Sequence, residues 1–145
     1  MEALTSQLML APDIAIDLQM HTIYSDGTWT PEQLIKYLVN ERFGLVAITD
    51  HDRVDTVASL QQKAVEKQLP ILAAVEMSTS WKGELTDVLC YGFDPEQIAM
   101  YREYAKTHHL LTSSGSDSHG PKKKPIKYRA ELSRSLLERL GIQIS

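Results

Sequence analysis

Short apolar runs alternate along this chain with segments patterned as helices, and most of the runs give way at once to histidines or carboxylates. "IAID" (14–17) leads into "LQMHTIYSDG", "LVAIT" (45–49) into "DHD", "ILAAV" (71–75) into Glu76, and "LLTSS" (110–114) into "GSDSHG". A further run, "DVLCYG" (87–92), begins with Asp87. Strand–helix alternation of this kind predicts a parallel α/β sheet or barrel, and 145 residues make one domain with a modest core. In such folds the carboxyl ends of the strands form one rim, and active sites are built there. Polar residues separated by tens of positions are therefore expected to meet.

The helices between the runs carry their own signals. "TPEQLIKYLVNERFG" starts with Thr30 as N-cap, Pro31 at the first helical position and Gln33 completing a capping box, with Gly44 as the expected stop. Asp55 is expected to cap a helix over 56–68. Asp94-Pro95-Glu96 opens another that runs to about His109, and 129–140 is a last helix stopped by Gly141. Residues 1–13 read as an N-terminal extension, and 122–145 as a basic linker, "PKKKP" at its start, followed by the C-terminal helix.

Charge is unevenly spread. Residues 1–121 carry 8 basic and 17 acidic groups (−9), residues 122–145 carry 7 and 2 (+5), and the chain sums to −4. The acidic body argues against broad nucleic-acid binding without metal. A single cysteine, Cys90, excludes an internal disulfide, fits a reducing cytosol and reads as a small buried apolar side chain. "MEALTSQLML" has neither a cationic start nor a long apolar run, so no signal peptide is expected. No segment approaches the roughly 18 apolar residues of a membrane span. A cytoplasmic, soluble protein is the expectation.

Several of the rim residues have metal-binding chemistry. Gln19 and His21, two apart at a strand end, should aim into one space. Mixed nitrogen and oxygen donors suit Zn, Mn or Fe better than a calcium cage of oxygens. Two or three such ions would activate a water and neutralise phosphate oxygens. Gln19 offers a weak, neutral amide oxygen, or it only hydrogen-bonds a neighbouring ligand. His51 is flanked by Asp50 and Asp52, which would otherwise cap a helix. Glu76 follows an apolar strand, where an unpaired carboxylate is costly to bury, so it is either a ligand or a solvated strand end. Asp117 and His119 are ligands or plain loop polars, and Asp87 is a ligand or a surface charge. His108 and His109 complement a helix end and have no site role. Trp81 and Tyr91 are packing residues, and Lys122–Lys124 form a solvated tail or attract phosphate.

The stretches "DLQMHTIYSDG", "AITDHDRVDT", "AVEMSTSW" and "SGSDSHG" resemble the successive motifs of the PHP (polymerase and histidinol phosphatase) family of metal-dependent phosphoesterases, in order, over most of residues 14–121. The resemblance implies a distorted seven-stranded βα barrel, shortened here to about five strands, and a centre of two or three divalent ions. It assigns metal-ligand roles to His21, Asp26, His51, Glu76, Asp117 and His119, with Asp26, His51 and Asp117 as the catalytic set. Gln19 and Asp87 stand where the family usually has histidine, and are read as weak ligands. Gly92-Phe93-Asp94 runs directly into Pro95-Glu96-Gln97, so the helical subdomain and further strands of the family's middle, with another ligand histidine, are missing.

The implied activity is hydrolysis of a phosphate mono- or diester by a metal-bound hydroxide attacking phosphorus in line. The substrate would be a small phosphate ester, a nucleotide or an oligonucleotide end, steadied by Arg53 or the lysine run. The competing readings are a metal-binding pseudoenzyme or inactive shortened module, and a scaffold or phosphate-sensing module acting through its basic tail. About five strands cannot close a barrel of seven, so a homodimer covering an open sheet edge is also expected.

Overall fold

The computed structural model of the protein describes residues 8–81, 83–92 and 114–145. At its centre is a four-stranded sheet. Its strands are β2 (Ala15–Asp17), β3 (Leu45–Ala47), β4 (Ile71–Leu72) and β7 (Tyr128–Arg129), in the order β4-β3-β2-β7. The first three are parallel, with Ile16 opposite Leu45 and Val46 opposite Ile71, as the strand–helix alternation predicts. β7 runs antiparallel to β2.

Helices cover the sheet. α1 (Pro31–Asn40) has the predicted capping box: Thr30 Oγ1 accepts from the Gln33 amide, and Gln33 Oε1 accepts from the Thr30 amide, both at 3.2 Å. Its stop is not Gly44. The left-handed conformation falls on Arg42 (φ 60°). Gly44 is needed for a different reason, because a Cβ there would lie 2.4 Å from Ile14 Cγ1.

α2 (Val57–Val65) is not capped by Asp55 as expected. Thr56 holds the N-cap position without a side-chain bond, while the Asp55 carboxylate turns to Arg53. The predicted helix over 129–140 is resolved into three pieces: β7, a 3-10 turn at Ala130–Ser133, and α3 (Arg134–Arg139), which Gly141 does stop at φ 81°.

The β3 strand shows how the core is divided. Val46 faces a cluster with Met20, Leu34, Leu38, Leu60 and Ile71 under α1 and α2. Leu45 and Ala47 face the other way, onto Ile16, Leu18, Leu137 and Ile142 under α3. On that second face β1 (Met9–Leu10) pairs in parallel with β8 (Gln143–Ile144), so residues of the N-terminal extension share a ladder with the tail.

Two strand expectations change. The run 71–75 is split between β4 and a long strand β5 (Ala74–Trp81). The run 87–92 belongs to β6 (Glu84–Tyr91), which pairs antiparallel with β5 from Ala74–Tyr91 to Trp81–Glu84, so it is a hairpin arm and not another parallel strand. A tight turn with Gly83 at φ 83° closes the hairpin. The helix expected over 95–109, with His108 and His109, lies outside the described residues, as do residues 110–113 of the fifth run. From Ser114 on, however, the chain takes a parallel place beside β2's extension. The Leu18 amide donates to Ser114 O (3.0 Å), the Asp117 amide to Gln19 O (2.8 Å) and the His21 amide to Ser118 O (2.8 Å).

Candidate metal centre

That last ladder places the centre. Residues 18–21 continue past β2, flanked on one side by 114–118 and on the other by the end of β3, where the Thr49 amide donates to Met20 O (2.8 Å). The beginning of β5 joins next, with His51 bridged in parallel to Glu76 and the Asp52 amide donating to Glu76 O (2.9 Å). Gln19, His21, His51, Glu76, Asp117 and His119 thus share one rim through backbone pairing alone. Gly115 is needed for the close approach: a Cβ on it would lie 2.4 Å from Gln19 Cβ and 2.7 Å from Gln19 N.

Asp26 reaches the rim by a folded loop. The buried Asp50 carboxylate accepts from the Thr22 amide, the Thr22 hydroxyl and the Ser25 hydroxyl, each at 2.7 Å. The Gly27 amide closes the turn on Thr22 O at 2.9 Å. Asp50 therefore positions the loop. Asp17 has a related job on the opposite side. Fully buried, it accepts from the backbone amides of Ser116 (2.8 Å), Ile126 (3.0 Å) and Gln19 (3.3 Å). Burial raises its pKa against these hydrogen bonds. The sequence signal for both was present, a carboxylate at the end of an apolar run, but the neighbouring histidines drew the metal reading instead.

His21 is the hub. Its ring is fully buried and stacks against those of His119 (centroids 4.1 Å) and His51 (4.7 Å). Nε2 lies 2.9 Å from Glu76 Oε2 and 3.1 Å from Asp117 Oδ1, and Nδ1 lies 3.5 Å from Asp26 Oδ1. Neither ring nitrogen has a hydrogen bond of sound geometry, although both are buried. A buried polar atom left so is costly, and it is rare in native structures. Donor atoms crowded around a nitrogen without hydrogen-bond geometry are what a metal ligand needs.

The other imidazoles turn to Asp26. His119 Nε2 is 3.2 Å and His51 Nε2 3.5 Å from Asp26 Oδ2, and His119 Nδ1 is 2.9 Å from Asp117 O. That contact orients the ring, as a ligand histidine requires.

Three overlapping donor groups result: His21–Asp26–His51–His119, His21–Glu76–Asp117 and His51–Glu76–Asp87, with one ligand atom from each member within 4.8 Å of the others. Asp87 reaches the third from β6, where it sits opposite Ser78. Two carboxylates at such a spacing repel by roughly 3 kcal/mol at an effective dielectric near 20, and a cation between them removes that cost. The mixed nitrogen and oxygen donors thus suit divalent metal ions.

Electrostatics follow the same geometry. Burial resists ionisation of Glu76 and Asp26. Even so, His21, with Gln19 and His51, pulls Glu76 below the usual carboxylate range, and His119, His21 and His51 do the same for Asp26. Burial likewise resists protonation of His21, but Glu76, Asp26 and Asp117 outweigh it and its pKa is raised.

Gln19 is placed differently from a ligand. Its Nε2 donates to Glu76 Oε2 (3.2 Å) and Asp117 Oδ1 (3.4 Å). Arg53 Nε and Nη2 are held by Asp55 at 2.8 and 2.9 Å, and Nη1 reaches Tyr24 O at 3.2 Å. Three of its five N–H groups are therefore engaged. Tyr91 packs in the core and donates its hydroxyl to Leu18 O (2.6 Å). Cys90 is half-buried beside Val75 and Met77, and burial pushes its thiol up to about 11. No helix among the described residues is long and apolar enough to cross a membrane.

Residues 17–143 match the family model described as "PHP domain". A 3',5'-nucleoside bisphosphate phosphatase of Chromobacterium violaceum is 34% identical over 59% of this chain and 30% of its own. The 5'-3' exoribonuclease Rnm of Salmonella typhimurium is 33% identical over 60% of this chain and 30% of its own. A solved structure of a provisionally assigned metal-dependent phosphoesterase from Bifidobacterium adolescentis superposes with a TM-score of 0.56 at 28% identity, over 67% of this chain and 34% of that one. The chain covers about a third of the length of these relatives.

Proposed function

The chain belongs to the PHP domain family, and from that premise we propose that it is a metal-dependent phosphoesterase. It hydrolyses a phosphate mono- or diester of a small phosphate ester, a nucleotide or an oligonucleotide end. The observation that carries this reading is the buried His21 ring, whose two nitrogens lack hydrogen bonds while three carboxylates and two further imidazoles surround it. His21, Asp26, His51, Glu76, Asp117 and His119 would hold two or three ions, with Asp87 on the third donor group. Bound there, divalent ions supply an activated water and neutralise phosphate oxygens.

The chain's own residues divide the remaining work. Asp26, held below the usual carboxylate range, stays ionised at neutral pH; it is a poor proton acceptor and a good ligand. His51 and Asp117 flank it from the ends of different strands, so the reacting phosphate would sit among all three. Arg53 keeps two N–H groups that can reach an anion without leaving Asp55.

Lys122 and Lys123 follow His119 by three and four residues. Their turn is fixed by the Lys123 amide on Gly120 O (3.0 Å) and by the Ser118 hydroxyl on Lys123 O. Among the described residues neither ammonium has an ion pair, whereas Lys127 pairs with Glu41. The two lysines therefore remain available to a substrate phosphate.

In this reading the sheet and its flanking segments are a shortened, roughly five-stranded version of a distorted seven-stranded barrel, working in the cytoplasm and paired as a homodimer over an open edge. Hydrolysis of p-nitrophenyl phosphate, its bis-ester and a nucleoside 3',5'-bisphosphate with added Mn²⁺ or Zn²⁺ tests the activity. Turnover that His51→Ala abolishes is the expected result. Tight ion binding with no turnover on any of them would instead identify a pseudoenzyme or a phosphate-sensing module.

A further inference from the structure

Gln19 sits inside the centre and is oriented unlike a ligand. Its side-chain nitrogen faces Glu76 Oε2 and Asp117 Oδ1, the same two oxygens that His21 Nε2 faces at 2.9 and 3.1 Å. The assignment of nitrogen and oxygen within the amide follows from these neighbours. Both are acceptors, and a turned amide would set Oε1 against two carboxylate oxygens. The amide nitrogen has no lone pair to offer an ion, and its hydrogens occupy the side of the carboxylates from which an ion would otherwise approach. Gln19 cannot swing away easily, since Gly115 lies against its Cβ and its own backbone is pinned by Asp117 N on Gln19 O (2.8 Å) and by Asp17.

We propose that the Gln19 amide takes the place of a cation beside Glu76 and Asp117, so that this residue sets how many ions the centre holds. The inference deepens the phosphoesterase reading and rests on it. Gln19 is a positioning residue here. It keeps two carboxylates together by donating a neutral N–H group to one oxygen of each, and it leaves their other oxygens, with Asp26, His51 and His119, to the remaining ions. A side chain at this place with a free donor atom in place of the N–H would open one more ion position.

Metal analysis and calorimetric titration of the full chain, with Mn²⁺ and Zn²⁺ in separate experiments, read this directly. Gln19→His and Gln19→Glu are each expected to bind one ion per chain more than the wild type. The glutamate variant, nearly isosteric, decides the matter if histidine disturbs the fold. Gln19→Ala removes the amide without supplying a donor and is expected to keep the wild-type count. Equal counts in wild type, Gln19→His and Gln19→Glu would overturn the proposal. Loss of an ion in Gln19→Ala would also overturn it, since Gln19 would then be a ligand. No ion on the wild type but one on Gln19→Glu would sink the phosphoesterase reading and keep this one; none on any variant would sink both.

Discussion

At the scale of single residues, His21 couples the centre to protons. Its raised pKa adds stability to the metal-free protein below about pH 6.5, and that contribution is lost as pH rises through the folded value. Ligation needs the neutral ring, so protons and metal compete for it. Metal affinity is expected to rise as pH climbs above about 6.5 and His21 loses its proton, measured by calorimetric titration; an affinity that does not change with pH would remove His21 from the ligand set. His51→Ala and Asp117→Ala should each cut metal content, whereas Lys63→Ala, which loses only a surface pair with Glu32, should not. Asp50 gives a sharper contrast in stability. Asp50→Ala strands three donors and is expected to cost on the order of 3 kcal/mol in urea denaturation, whereas Asp55→Ala, which loses only the exposed Arg53 pair, should change stability little. Residue chemistry was the most legible part of the sequence, because histidine and carboxylate next to an apolar run have few bland explanations. What it could not separate was ligand from support: Asp17, Asp50 and Gln19 are all polar groups at strand ends, and only their hydrogen bonds tell them apart from His51 or Asp117.

Among the elements, α1 was readable to the residue at its start because its cap is a local interaction of four positions. Thr30→Ala should cost about 1 kcal/mol and leave metal content unchanged. The β5–β6 hairpin was less so. Its turn signal, a glycine two positions after Trp81, was in the sequence, but the strand was read as ending at Val75, which hid the pairing. The splitting of 129–140 has another cause: two residues of strand and a 3-10 turn carry no periodicity to detect, and their place is decided by β2 and by Asp17. The ladder between 18–21 and 114–118 makes the strongest prediction at this scale. Gly115→Ala would force Gln19 and the segment bearing Asp117 and His119 apart. It is expected to cost at least about 2 kcal/mol and to weaken metal binding together with stability. A Gly115→Ala protein with native melting and native ion affinity would mean that the close approach is relaxed in solution.

For the whole molecule, a cation among clustered carboxylates should act as part of the fold. An ion bound only to the native state at a hundred times its Kd adds about 2.7 kcal/mol, so EDTA should lower the melting temperature and Mn²⁺ or Zn²⁺ restore it. An unchanged melting curve would speak against the shared centre. The proposed homodimer belongs to this scale too. Leu85 on β6 is 92% exposed, and β4 is an edge of the four-stranded sheet, so sedimentation should show a species of twice the 16.3 kDa chain; a monomer that still binds two ions would remove it. That the sheet is parallel at its heart was legible from alternation, whereas the pairing of β1 with β8 was not, since nothing in two short apolar segments 134 positions apart names them as partners.

The buried Asp17 carboxylate has a bearing on time as well as on place. It ties the first parallel strand to Ser116 and Ile126, 99 and 109 residues further along the chain. His21, His51 and Glu76 come from one side of that long closure, Asp117 and His119 from the other. Closing it comes late on entropic grounds, because distant contacts must wait for the local ones that make them rewarding. A refolding chain should therefore acquire its helices and parallel core before it can hold an ion at full strength. Metal uptake followed by rapid mixing would then act as a clock for the final docking of residues 114–126.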